Sequence, residues 1–129
     1  MTTTWTDEEL TGIADAEELE IASRRGDGTL RRPRIIWVVR HGDDLYVRSV
    51  NGPAAAWYRG ARDRHEGHIA AGGVDRDVVF ADADADADAL EDAVDKAYRS
   101  KYRRYAASIL DHITSEQARA TTLRLVPKV

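Results

Sequence analysis

Residues 45–60 read LYVRSVNGPAAAWYRG, and the change from strand to helix inside this stretch organises the chain on either side of it. Along residues 45–50 a period of two puts Leu45, Val47 and Ser49 on one face and Tyr46, Arg48 and Val50 on the other, so an arginine stands between two apolar neighbours. Asn51-Gly52-Pro53 then ends the strand. Pro53 suits the first position of a helix, since it has no N–H to orphan and its φ is preset, and Asn51 and Gly52 suit the cap. Trp57 and Tyr58 follow about one and a half turns from that start.

This corner has the chemistry of an anion site. The orphan N–H groups of a first helical turn attract phosphate, Arg48 supplies a fixed charge, Ser49 a hydroxyl, and Trp57 and Tyr58 a surface for the rest of a ligand. The same residues equally suit a plain strand-turn-helix whose aromatics fill the core and whose arginine snorkels to the surface. The pattern alone leaves both readings open.

Toward the N-terminus, the His41-Gly42-Asp43-Asp44 turn joins this strand to an apolar, β-branched run over 35–39. Gly26-Asp27-Gly28 joins that run in turn to a strand over 20–23. Thr6 and Glu9 have capping-box spacing and predict a helix over 6–15, with Leu10, Ile13 and Ala14 on one face. Toward the C-terminus, Ala71-Gly72-Gly73 predicts a hairpin between 68–70 and 78–80. Leu90, Val94, Ala97, Tyr98, Tyr102, Tyr105 and Ile109 form an amphipathic stripe that predicts one helix over 90–110. Thr114 or Ser115 caps a short further turn, and 120–126 reads as a closing strand stopped by Pro127.

Short hairpins join antiparallel strands, whereas parallel neighbours need crossovers of a dozen or more residues. The element order therefore predicts an α+β fold: an antiparallel split β-barrel with flanking helices, one domain over 1–129.

Of the 129 residues 33% are charged, and the net charge of -4 argues against nucleic acid as a partner, because polyanion binding depends on a basic surface. The chain has no cysteine, which excludes disulfides, thiolate nucleophiles and Cys-ligated metals. The first residues lack the basic and apolar segments of a secretory signal, and no apolar run approaches 20 residues, so the expectation is a cytoplasmic protein that does not enter a membrane. The DADADAD tract over 82–88 supplies the early ligands of a calcium loop, but Ala87 stands where that loop needs glycine and Ala93 where it needs glutamate. It reads as an acidic linker over 82–89. His65 and His68 are spaced three apart, not the four a helical zinc pair needs, and no metal site is expected.

The segments RRGDGTLRRP, WVVRHGDDLYVRSVNGPAAAWYRG, AGGVDRDVVF, AYRSKY and ATTLRLVPK, in this order, resemble the bacterial family known as domain of unknown function 2255. A more distant similarity is to split-barrel flavin-binding proteins, especially the deazaflavin-dependent nitroreductase-like group. There a hairpin marked Gly-Arg-Lys-Ser-Gly and Arg-Pro precedes two strands and a Pro-Ala-Trp-Tyr helix start. The family lysine has no counterpart in GDGTLRRP, and three alanines separate Pro53 from Trp57.

The resemblance implies a homodimer with FMN or a deazaflavin in a groove at the interface. The hairpin arginines Arg31 and Arg34, together with Arg48, Ser49, Asn51 and Gly52, would hold its phosphate, and Trp57 and Tyr58 would line the groove. It implies an oxidoreductase passing hydride to a small acceptor, with the cofactor and not a side chain carrying the chemistry. A ligand-binding or interaction module that keeps the split-barrel dimer without catalysis is the alternative.

Overall fold

A computed structural model describes residues 4–82 and 87–128. Among them, α1 (Asp7–Asp15) opens the chain, and the predicted capping box is present, with Thr6 Oγ1 accepting from Glu9 N while the Glu9 carboxylate accepts from Thr6 N. Seven strands follow: β1 (Leu19–Ser23), β2 (Arg34–Ile36), β3 (Val38–His41), β4 (Asp44–Val47), β5 (Glu66–Ala71), β6 (Val74–Asp82) and β7 (Leu123–Pro127). Between them stand α2 (Ala56–Arg64), α3 (Ala87–Lys101), α4 (Ala107–Ile113) and α5 (Glu116–Arg119).

All the pairings are antiparallel, in the order β2-β1-β5-β6-β7-β4-β3. The two edge strands, β2 and β3, are consecutive in the chain and separated only by Trp37. The sheet thus rolls into a nearly closed barrel whose split falls at one residue. The run over 35–39 is not the single strand predicted for it, because its first half pairs with β1 and its second half with β4.

The period-two reading of residues 45–48 holds in the packing. Leu45 and Val47 join Leu19, Ile21, Ile69, Val78, Phe80, Leu123 and Leu125 inside the barrel. Tyr46 faces outward into a second apolar cluster with Val39, Val94, Tyr98 and Tyr102 beneath α3. Strand β4 is therefore covered on both faces, which is why its polar neighbour Arg48 is buried as well.

Four other boundaries differ from expectation. The helix over 90–110 is two helices, α3 and α4, broken where Tyr102 and Tyr105 turn to pack on Trp37. Asp82 belongs to β6 and the chain is helical again from Ala87, so of the acidic linker over 82–89 only residues 83–86 lie outside the described structure. Pro127 does not stop β7 but is its last residue, opposite Val78. Thr121 and Thr122, read as strand, instead bond back to Ala118 and Arg119 at the end of α5.

Close backbone approach explains two glycines. A Cβ at Gly67 would stand 2.3 Å from the Ala22 carbonyl oxygen and 2.7 Å from Phe80 Cζ. At the β5–β6 turn, Gly72 has φ +56 and a Cβ there would stand 2.0 Å from the carbonyl oxygen of Gly12 in α1. On the same hairpin, His68 Nδ1 lies 2.7 Å from Asp77 Oδ1 while Nε2 meets Asp75, and Arg24 also pairs with Asp77 at 3.2 Å. Burial opposes the imidazolium, but the hydrogen bonds and charges of Asp77 and Asp75 outweigh it and raise the His68 pKa above its ordinary 6.5.

Replacing Gly67 by Ala should destabilise the protein by about 3 kcal/mol, the upper end of overpacking costs, whereas Gly26→Ala, with open space around it, should be nearly neutral; denaturant titration of both measures the difference. Because the His68 pKa is raised on folding, its contribution is complete below the unfolded value and disappears as pH rises through the folded one. The Tm gap between wild type and His68→Gln should be widest at about pH 5.5 and narrow on the alkaline side.

Candidate functional site

The 45–60 stretch makes its corner differently from the expectation. Strand β4 ends at Val47, and Pro53 lies in a single 3-10 turn (Gly52–Ala54), not at the head of the helix. The helix proper, α2, starts at Ala56 after the N-cap Ala55, which has no side chain able to cap. Asn51 makes no capping bond, and Ser49 Oγ donates to the Gly52 carbonyl at 2.8 Å. The uncapped helix start, with its orphan N–H groups, is thus three residues later than the sequence suggested.

That start borders a cleft of about 470 Å³, lined also by Arg34, Ile35 and Trp37 from the split in the barrel, Val50 and Asn51 from the corner, and Ile109 and Ile113 from α4. Most of its wall is apolar, and much of that apolar wall is exposed: Ile35 is 62% accessible, Val50 44% and Ile109 43%. Trp37 stacks on Tyr102 with ring centroids 3.9 Å apart and planes 5° from parallel, which fixes that wall. Trp57, half-buried, forms the wall on the α2 side, edge-on to Tyr58 at 6.0 Å. Arg34 is exposed and forms no ion pair among the described residues.

Arg48 is the largest departure. It is 1% exposed, and its guanidinium is spent inside the protein. Nη1 donates to Asp95 Oδ1 at 2.5 Å and to the Ile113 carbonyl at 3.1 Å, Nε to Thr122 Oγ1 at 2.9 Å, and Nη2 to the Glu91 carbonyl at 3.1 Å, with the Glu91 carboxylate 3.5 Å away. Its carbon is 5.6 Å from the centre of the Tyr98 ring. Arg48 therefore neither snorkels nor presents free charge to the cleft it lines. It fastens the corner to α3, α4 and the start of β7.

Of the other residues predicted for the site, Arg34, Ser49, Asn51 and Trp57 share the cleft. Arg31 does not: its Nε is buried against Gly60 of α2, and it borders a separate hollow with Arg32 and His68. Gly52 is buried with φ +78, against Gln117. Tyr58 turns into the barrel core, and its hydroxyl accepts from Arg62 at 3.1 Å. Ile35, Val50 and Ile109 were missed because an apolar residue on a strand or helical stripe reads as core. Among the described residues no group of His, Asp and Glu side chains is placed to hold a metal, and no helix is long and apolar enough to cross a membrane.

A barrel of this order, split beside an open groove, is the split-barrel fold of the flavin-binding type, and the known structures it is similar to agree. A candidate pyridoxamine 5′-phosphate oxidase from Listeria innocua matches at a TM-score of 0.62 with 12% identity, over 95% of this chain and 93% of the other. A haem storage protein from Vibrio cholerae matches at 0.61 with 13% identity, over 92% and 87%. An F420 reductase matches at 0.58 with 14% identity, over 96% and 97%. Comparison with curated protein sequences finds no match. The chain belongs to the bacterial family described as "Uncharacterized protein conserved in bacteria (DUF2255)", whose pattern spans residues 9–125.

Because Glu91 would be left buried without its cation and Asp95 would keep only Arg119, Arg48→Ala should cost about 3–5 kcal/mol of stability, measured by urea unfolding without added ligand.

Proposed function

We propose that the cleft binds a flat, phosphorylated cofactor of the flavin or deazaflavin type, FMN or F420, and that the protein uses it for hydride transfer to a small acceptor. The observation that carries this reading is the composition of one cleft. Two tryptophans and three exposed aliphatic side chains suit an aromatic ring system, while unpaired Arg34 and the uncapped start of α2 suit an anionic tail. Trp57 would lie against the ring, and Arg34 with the N–H groups of Ala56 and Trp57 would hold the phosphate. Bound there, the cofactor supplies the hydride chemistry, and the chain positions it and excludes water.

The similar structures include proteins described by F420 and by haem. Haem fits less well, because no His, Cys, Met or Tyr side chain lines the cleft among the described residues, so nothing there offers an axial ligand. Among the described residues no carboxylate lines the cleft either, which favours chemistry borne by the cofactor over acid–base catalysis by the chain. Ile35, Val50 and Ile109 border the opening, and we assign their cover to a second copy of the chain. A homodimer in light scattering is the expected result.

Titration with FMN and with F420 should quench tryptophan fluorescence and raise Tm for at least one of them. Arg34→Ala should then weaken binding by about 1.5–3 kcal/mol, the worth of a charged hydrogen bond, and Trp57→Ala should weaken it without loss of fold. Absence of both quenching and thermal shift with either cofactor overturns the proposal. Binding without turnover of any reducible acceptor would leave the non-catalytic module as the better account.

A further inference from the structure

Two partners of Arg48, Glu91 and Thr122, also line a second hollow, of about 680 Å³, which shares no residue with the cleft. It lies where α2, the end of β6, the start of α3 and α5 meet, and its other charged residues are Arg62, Asp82, Asp88, Glu116 and Arg119. Glu91 is the residue that needs explaining. It is 7% exposed, yet among the described residues its buried Oε1 has no hydrogen-bond partner. Leaving a buried carboxylate oxygen without one is costly, and the Arg48 guanidinium, 3.5 Å off, answers it only in charge.

The cations of the hollow are already taken. Arg119 pairs with Asp92 at 3.2 Å and Asp95 at 3.3 Å, neither of which lines the hollow, and Arg62 meets Asp82 at 3.7 Å and the Tyr58 hydroxyl at 3.1 Å. Asp88 and Glu116 are exposed and form no ion pair among the described residues. Each stands in the first turn of its helix, where the dipole offsets part of its charge, whereas Glu91 lies beyond that turn. The hollow thus carries negative charge in excess of positive. A single metal ion does not suit it, since among the described residues no three His, Asp or Glu side chains are placed to hold one. A cation whose charges are spaced along a chain does suit it, because each ammonium brings three N–H donors to a separate carboxylate and the methylenes between need no partner.

We propose that this hollow binds an aliphatic di- or polyamine, with one ammonium donating to the Glu91 carboxylate and another answering Asp88 or Glu116. The bound amine gives Glu91 the hydrogen bond it lacks and offsets the excess charge beside Arg48. It occupies a place apart from the cleft.

The test titrates the purified full chain with spermidine by calorimetry in about 0.15 M NaCl, where exposed charges more than about 8 Å apart are largely screened. Spermidine should bind at one site per chain. Glu91→Gln keeps the shape of the side chain and leaves Arg48 its bond to Asp95, so it should fold and should weaken spermidine about tenfold or more, as expected for a charged hydrogen bond. Asp88→Asn combined with Glu116→Gln, at two exposed positions, should weaken it about two- to fivefold, the range of exposed ion pairs, with Tm unchanged. Magnesium chloride should not displace spermidine at equal concentration. Absence of binding heat with spermidine, magnesium binding as tightly as spermidine, or wild-type affinity in folded Glu91→Gln overturns the proposal. So does wild-type affinity in the exposed double variant, which decides alone where Glu91→Gln does not fold.

Discussion

A guanidinium that is almost wholly removed from water is tolerated only if its charge and all its donors are answered. Arg48 comes close to that condition: Asp95, Thr122 and two backbone carbonyls accept four hydrogen bonds from it, and the Glu91 carboxylate stands 3.5 Å from Nη2 as a counter-charge without a hydrogen bond. These partners come from α3, the end of α4 and the residues before β7, elements that are 40 or more positions away in sequence. The pairing therefore settles where two helices and a strand meet. Arg119 extends the network, reaching Asp95 at 3.3 Å and Asp92 at 3.2 Å.

The second constraint is the split. The chain passes from one edge of the sheet to the other through Trp37 alone, so β2 and β3 cannot pair with each other. What closes the gap is an aromatic stack: Tyr102 lies flat on Trp37 and its hydroxyl donates to the Glu17 carbonyl at 2.7 Å. Tyr102 and Tyr105 are the residues at which the long C-terminal helix is interrupted, so closing the barrel and bending the helix have the same cause. The cleft lies beside this closure, between the split, the corner after β4 and α4.

On the proposed reading, these two constraints divide the labour between structure and ligand. Arg48, whose charge is answered by Asp95 and Glu91, serves the scaffold, and the ligand is left with Arg34, which has no ion pair among the described residues, and a helix start without a cap. A cofactor with its own redox chemistry asks no more of the protein than shape, apolar walls and an anchor for its anionic end.

Much of the architecture was legible in the residues. The capping box of α1, the Gly-containing turns after β3 and β5, the alternation through Leu45, Tyr46 and Val47, and the family resemblance all act over a few positions, and local rules describe them well. Four of the residues singled out from the sequence, Arg34, Ser49, Asn51 and Trp57, do share one cleft. The chain's own order could not say which way Arg48 points, because its partners Asp95 and Glu91 look like ordinary surface acids of an amphipathic helix. Nor could it say that Tyr58 faces the core, that Arg31 tucks under Gly60, or that Ile109 lines an open groove. Burial of a charge and exposure of an aliphatic side chain depend on what packs against them from distant segments, and only the folded chain brings those segments together.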